Sequence, residues 1–180
     1  MSKKVLTALQ KRFKAQILDS HAHVGDETIL ILPEHLIEIA TFLRNDPKMS
    51  FEVLSDITAV DYLHRKPRYE VVYHFYSMTL KHRLRVKVMV EEGQELVPSL
   101  TAIWRSANWA EREVWDMFGV RFEGHPDLRR ILMYEEFEGH PLRKDYPIQQ
   151  SQPRMDLRQR ERDAVEEYRT LHRDRDQSVE

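Results

Sequence analysis

A chain of 180 residues, 41% of them hydrophobic, is long enough for one packed domain plus an arm and too apolar for wholesale disorder. Its 28 basic and 30 acidic side chains leave a net charge of −2, which excludes a global pull toward nucleic acid or anionic lipid. No cysteine occurs, which removes disulfides, thiol catalysis, thiolate zinc sites and iron–sulfur clusters held by this chain.

The first residues, MSKKVLTALQKRFKAQ, have no apolar h-region and no small-residue cleavage site, so no signal peptide is expected. No apolar run approaches the ~18 residues that span a bilayer. The expectation is a soluble, cytoplasmic chain. Val5, Leu6, Leu9 and Phe13 share a helical face, which predicts an amphipathic helix over roughly 3–15. Residues 16–24 and 27–32 read as a hairpin turning at Gly25-Asp26. Pro33 suits a first helical turn. Leu36, Ile39, Ala40 and Leu43 carry that helix to Asn45-Asp46-Pro47.

Alternating apolar residues then predict strands over 51–62, 69–78 and 82–90, joined by short connections that favour an antiparallel meander. A short helix is expected near Ser99–Trp104. A longer one starts at Asn108 as N-cap, with Glu111 as its capping-box partner, and closes at Gly119. Helices and strands segregate rather than alternate singly. This predicts an α+β, two-layer domain of order helix-strand-strand-helix-strand-strand-strand, followed by a short helix and an extended C-terminal arm. Residues 1–120 form the domain, 121–147 a docking strap, and 148–180 a charged tail. That tail holds 15 charged residues in 33, yet Leu157, Ala164, Val165, Tyr168 and Leu171 share a helical face, so it reads either as a frayed solvated tail or as a helix ordered only against a partner.

The five glycines, at 25, 93, 119, 124 and 139, allow neither a dinucleotide fingerprint nor a phosphate loop. No Gly-x-Ser-x-Gly elbow is present. Two histidine clusters could be weighed as metal sites: Asp19, His21 and His23 on one strand face, and His125, His140, Asp127 and Asp145. Neither has a familiar ligand spacing, and hydrogen-bonded or surface histidines explain them more simply. Residues 61–90 hold seven cations, Arg65, Lys66, Arg68, Lys81, Arg83, Arg85 and Lys87, against Asp61 and Glu70. Without the aromatic–glycine pattern of an RNA-recognition sheet, these read as a solvated or partner-facing strand face.

The segment 123–147 repeats Glu-Gly-His-Pro, at 123–126 and 138–141, each copy followed by a Leu and two cations. Mixed charge with Trp109, Trp115, Phe118, Phe122, Tyr134, Phe137 and Tyr146 interleaved suits reciprocal ion pairs and aromatic anchors, the composition of an interface. The Arg and carboxylate residues around Glu111, Arg112, Glu113 and Asp116 should in part meet Arg129, Arg130 or Arg143.

EREVWDMFG from Glu111, HPDLRRIL from His125 and GHPLRKDYP from Gly139 together resemble the C subunit of respiratory complex I, the 30-kDa subunit family of the proton-pumping NADH–quinone oxidoreductase. The resemblance spans about 37 residues, to Pro147. Phe137 stands where many members carry Trp. The resemblance implies an α+β fold and a non-catalytic assembly role in the peripheral arm, on the cytoplasmic side of the inner membrane. It implies docking on the D subunit of complex I beside the quinone site, with contact to the membrane only through the complex. FMN, iron–sulfur clusters and quinone would belong to partner subunits, and no catalytic, cofactor or metal residue is expected here. The docking residues it implies are Glu111, Arg112, Glu113, Asp116, His125, Arg129, Arg130, His140, Arg143, Lys144, Asp145 and Tyr146. Competing readings are the equivalent subunit of a membrane-bound hydrogenase or of a ferredoxin-fed photosynthetic-type complex. More remote are a metal-dependent hydrolase and an RNA-binding module.

Overall fold

The computed structural model describes residues 4–149 and 151–153, together with residue 166. The expected tail helix lies outside these residues. The chain divides into two compact units, Met1–Glu135 with Gly139–Gln149, and Glu136–Glu138 with Gln150–Glu180. In the second unit, Gln152 is joined to the Glu138 backbone by two hydrogen bonds, of 2.9 and 3.0 Å.

The first unit begins with helix α1 (Lys4–Arg12) and the hairpin β1 (Ile17–His23) and β2 (Asp26–Ile31). The turn is Val24-Gly25, one residue earlier than expected. Both residues have positive φ, 50° and 93°, as a two-residue turn matched to strand twist requires. Pro33–His35 forms a single 3₁₀ turn leading into α2 (Leu36–Asn45). Then come β3 (Val53–Asp61), β4 (Tyr69–Tyr76) and β5 (Arg83–Val90). The α+β order predicted from periodicity is therefore present.

The five strands lie in the order β1-β2-β5-β4-β3. The meander β3-β4-β5 is antiparallel, but β5 also pairs with β2 in parallel, Ile29 opposite Val86. The sheet is thus mixed. Alternation sets which face a strand buries but says nothing of which distant strand lies beside it. One face packs against α1 and α2: Leu9, Leu36, Ile39 and Leu43 bury against Ile29, Ile31, Tyr73 and Val86.

No helix forms at 99–104. Leu96–Pro98 is instead a short strand, β6, paired in parallel with β7 (Arg121–Glu123). The turn after it is pinned to β3 and its approach by Trp104 Nε1 donating to the Phe51 carbonyl at 3.2 Å and Ser106 Oγ to the Leu54 carbonyl at 2.9 Å. Helix α3 spans Ala107–Phe118, so Asn108 lies inside it and is not its cap. The N-cap position belongs to Ser106, which makes no side-chain cap bond. At the other end Gly119 closes the helix as expected, with φ of 80°.

Candidate docking site

Helix α3 is the post to which residues 125–133 and 140–143 are tied. Its apolar stripe, Ala107, Val114, Met117 and Phe118, faces the core. That leaves polar residues to hold whatever runs over the other sides. Arg112 and Asp116, one turn apart, do so. Arg112 donates to the carbonyls of Arg129 and Arg130 at 3.1 and 3.0 Å. Asp116 Oδ2 accepts the backbone N–H groups of Ile131, Leu132 and Met133 at 3.1, 2.9 and 2.8 Å, and its Oδ1 meets the Arg130 guanidinium at 2.5 Å. Three successive amides around one carboxylate form a nest. Burial pushes the Asp116 pKa up, but the Met133 amide, Arg130 and the two other amides outweigh it and hold it below the usual carboxylate value.

The two Glu-Gly-His-Pro copies serve the two ends of α3. His125 Nε2 donates to the Asn108 carbonyl at 3.0 Å, and its Nδ1 accepts from Asp127 N–H at 3.0 Å, which fixes the tautomer. His140 Nδ1 donates to the Asp116 carbonyl at 2.9 Å. Burial, with Arg143 and Arg130 nearby, lowers the His140 pKa and keeps the ring neutral.

The C-terminal end of α3 is satisfied throughout. A helix leaves its last four carbonyls without intrahelical partners. Here Trp115 is met by Gly119 N–H at 2.8 Å and Asp116 by His140. Met117 is met by Leu142 N–H at 3.0 Å, and Phe118 by Arg143 Nε at 2.5 Å. Residues 140–143 are therefore a helix cap supplied from more than twenty residues away. Gly119 is required twice, for its positive φ and because a Cβ there would strike the Arg143 guanidinium and lie 2.6 Å from the His140 ring.

Beyond the cap, the strap fastens to the sheet through Arg68. This guanidinium, 4% exposed, binds Asp61 through two contacts of 2.8 Å, Asp145 at 2.9 and 3.1 Å, and Glu92. Lys144 N–H donates to the same Asp61 carboxylate at 2.8 Å. Arg68 holds the pKa of both Asp61 and Asp145 below the usual value. The guanidinium carbons of Arg68 and Arg143 lie 4.9 and 5.4 Å from the centroid of the Tyr69 ring. Its buried hydroxyl has no partner among the described residues, and burial pushes its pKa up to about 12.

Other expected residues are placed differently. Glu111 is fully buried and meets no arginine. It accepts from Ser99 Oγ at 2.6 Å and Leu100 N–H at 2.7 Å, tying α3 to the turn before it, and so cannot act in a capping box. Glu113 is exposed, without an ion pair among the described residues. Among the described residues Arg129 pairs with Asp127 alone, both exposed. Tyr146 is half-buried against Gly139, where a Cβ would sit 3.0 Å from the ring. His21 lies 3.9 Å from Asp19 on the exposed strand β1. Among the described residues no group of three His or carboxylate side chains is placed to hold a metal. The basic sheet face is largely occupied: Lys87 and Arg65 both pair with Glu70, at 2.9 and 2.7 Å, and Arg85 approaches Thr28. Sequence reasoning missed Arg68 and Asp61 as strap anchors. They lie 77 and 83 residues from their partners Asp145 and Lys144, and only their unusual burial as charged residues singles them out.

Outward from this framework stand three large apolar side chains: Trp109 on α3, 71% exposed, and Leu132 and Leu142 on the strap, 57% and 51% exposed. Among the described residues no helix is long and apolar enough to cross a membrane.

Residues 29–152 match the family model for the respiratory-chain NADH dehydrogenase, 30 Kd subunit. The C subunit of the NADH-quinone oxidoreductase of Roseiflexus sp. (strain RS-1) is 49% identical over 144 residues, 80% of this chain and 83% of that one. The C 2 subunit of the Rhizobium meliloti (strain 1021) enzyme is 48% identical over 143 residues, 79% of this chain and 78% of that one. Among solved structures, the trypsin-resistant fragment (1-134) of Nqo5 superposes with a TM-score of 0.62 at 33% identity, covering 70% of this chain and 98% of the fragment. One polypeptide of the membrane-bound sulfane sulfur reductase, an archaeal respiratory membrane complex, shares the fold alone, with a TM-score of 0.68 at 22% identity over 87% of this chain and 96% of that one. A strap-capped helix on a mixed sheet, these matched residues and these relatives agree: the chain belongs to the 30-kDa subunit family of the respiratory-chain NADH dehydrogenase, which includes the C subunits of NADH-quinone oxidoreductases.

Proposed function

We propose that this chain is a non-catalytic assembly subunit of the peripheral arm of a proton-translocating NADH–quinone oxidoreductase, on the cytoplasmic side of the inner membrane, and that it docks on the D subunit beside the quinone site. The observation that carries this reading is Trp109. A tryptophan 71% exposed on a helix whose other large apolar side chains are buried or half-buried is unfavourable in a free chain and is the residue type most enriched at binding hot spots. Trp109, Glu113 and Asp116 follow one another at helical spacing, so Trp109 and Glu113 flank the place where the strap residues 129–133 are held. Leu132 and Leu142 add exposed apolar surface on the strap itself.

The inward groups of Arg112, Asp116, Arg130, His125, His140 and Arg143 shape this surface, while Trp109, Glu113, Leu132 and Leu142 meet the partner. The absence of cysteine leaves iron–sulfur clusters to the partner subunits, and FMN and quinone are assigned there too. The curated relatives near 49% identity favour the NADH–quinone enzyme over a hydrogenase-type or ferredoxin-fed complex. The test is mild extraction of membranes followed by a native gel. This chain should run in a large complex that also holds a homologue of the D subunit. A chain found only as a free monomer beside an intact NADH–quinone complex would overturn the reading.

A further inference from the structure

Away from the strap lies a groove of about 900 Å³ between the 3₁₀ turn after β2, the end of β5 and the small β6–β7 sheet. Its apolar lining is Leu32, Pro33, Pro67, Met89, Leu96 and Pro98, three of them conformationally restricted prolines. Leu96 is 48% exposed there. The remaining charged lining is one-sided, with Glu34, Glu91, Glu95 and Glu123 against Arg121 alone. Arg143 approaches Glu95 at 3.8 Å, and His35 lies 3.4 Å from Glu34, a pair that carries opposite charges only when the ring is protonated. Glu91 and Glu123 are exposed and without an ion pair among the described residues.

Carboxylates and apolar side chains lining one groove let a cation on an apolar stem gain twice: the stem covers the apolar lining and the head meets a carboxylate. The backbone narrows the choice further. Strand β6 pairs with β7 along one edge. On its free edge Pro98 has no N–H, and the Leu96 N–H is already bonded to the Gln94 carbonyl at 2.7 Å. That edge can accept hydrogen bonds but cannot donate them, so strand addition is barred and recognition falls to donor side chains.

We propose that this groove seats an extended segment of a neighbouring protein of the complex, one that carries Lys or Arg beside an apolar residue. Trp109, Leu132 and Leu142 do not line it, so it is a second docking surface, separate from the one assigned to the D subunit. The chain's own tail also carries Arg beside apolar residues, at Arg154-Met155 and Leu157-Arg158, but its seven Arg are offset by eight Asp and Glu across residues 154–180, and the cross-link separates it from a neighbouring protein. A second copy of the chain, itself at −2, gains nothing from the charge either.

The experiment places a benzophenone amino acid at Leu96 in the full chain, irradiates intact membranes, and identifies the cross-linked peptide by mass spectrometry in the assembled complex. The expected adduct is on another protein of the complex, within a few residues of a Lys or Arg that neighbours an apolar side chain. The same cross-link in the Glu34→Lys/Glu123→Lys background should drop at least about fivefold, because two attractive contacts become repulsive. Should that variant fail to fold by circular dichroism, Glu34→Gln/Glu123→Gln is used, with a smaller drop expected. An adduct on this chain's own tail or on a second copy overturns the proposal. So does an adduct on an acidic segment, a yield indifferent to both charge variants, or no adduct in a complex that has assembled. Recovery of the chain only as a free monomer beside an intact NADH–quinone complex would instead count against docking on the D subunit. The two readings therefore fail separately.

Discussion

Arg143 Nε donates to the Phe118 carbonyl at 2.5 Å, closing a helix from a point 25 residues along the chain. The cation also sits at the negative end of the helix dipole, where a positive charge is favoured. Arg143→Ala removes this bond and leaves a half-buried carbonyl bare. The purified chain should lose about 1–3 kcal/mol. The check is the urea midpoint: it should fall with an unchanged slope, and Arg143→Lys should recover only part of the loss.

Arg68 gathers the Asp61, Glu92 and Asp145 carboxylates, and Asp61 is fully buried. Arg68→Ala leaves that carboxylate with only the Lys144 amide, at a cost of about 3–5 kcal/mol. Because Arg68 depresses the Asp61 and Asp145 pKa values below 3.8, their contribution to stability is present above that pH and lost as pH falls through the folded values. Acid titration followed by tryptophan fluorescence should show the wild type unfolding at lower pH than Arg68→Lys. Coincident acid transitions would remove Arg68 as the strap's anchor.

The domain was legible because its signals are local. Alternation in residues 82–90 reflects one buried sheet face, and the period of Leu36, Ile39, Ala40 and Leu43 reflects one buried helix face. The strap was legible only as a composition. Its repeated Glu-Gly-His-Pro pattern marks two similar jobs, yet each His binds a backbone carbonyl, and carbonyls carry no sequence signature. Glu111 misled for a related reason: a carboxylate three residues after Asn reads as a capping box, but the helix starts earlier and burial hands that carboxylate to Ser99. The β2–β5 pairing and the β6–β7 sheet join segments far apart in sequence, which periodicity cannot connect.

Chelation should leave the fold alone. Both ring nitrogens of His125 are engaged, and Nδ1 of His140 is held by the Asp116 carbonyl. Elemental analysis of the purified chain should find no stoichiometric zinc, iron or manganese, and EDTA should leave the melting temperature unchanged. One metal per chain, or a melting temperature that falls on chelation, would contradict this.

Glu111 makes the opposite prediction to Asp61 in pH. Burial raises its pKa from 4.5 to about 7, against the lowering effect of Ser99 and the Leu100 amide. The neighbouring buried group is the Tyr73 hydroxyl, itself pushed up by burial and by Glu111. A raised carboxyl pKa favours the protonated fold. Its stabilising effect is complete below about 4.5 and is lost as pH rises through about 7, a change of order 3 kcal/mol. Glu111→Gln keeps an acceptor for Leu100 and reverses the Ser99 bond, its amide N–H donating to Ser99 Oγ, but cannot ionise. Chemical denaturation at pH 5, 6, 7 and 8 should show wild-type stability falling relative to Glu111→Gln across this range. Parallel curves would mean that Glu111 is charged in the fold at all these values.

Trp109 and Glu113 separate assembly from chemistry. Neither is held by the fold, so Trp109→Ala and Glu113→Ala should change the stability of the free chain by no more than about 0.5 kcal/mol. At an interface the outcome differs. A tryptophan anchor is worth about 2 kcal/mol or more, some thirtyfold in affinity. Trp109→Ala should therefore lower the amount of assembled complex on a native gel, with Glu113→Ala lowering it less. Quinone-reductase activity divided by complex content should stay near the wild-type value in both, because a docking surface sets how much enzyme forms and not how fast each copy turns over. Full assembly with a collapse of activity per complex would place these residues in the reaction itself. Full assembly with normal activity would remove Trp109 from the interface.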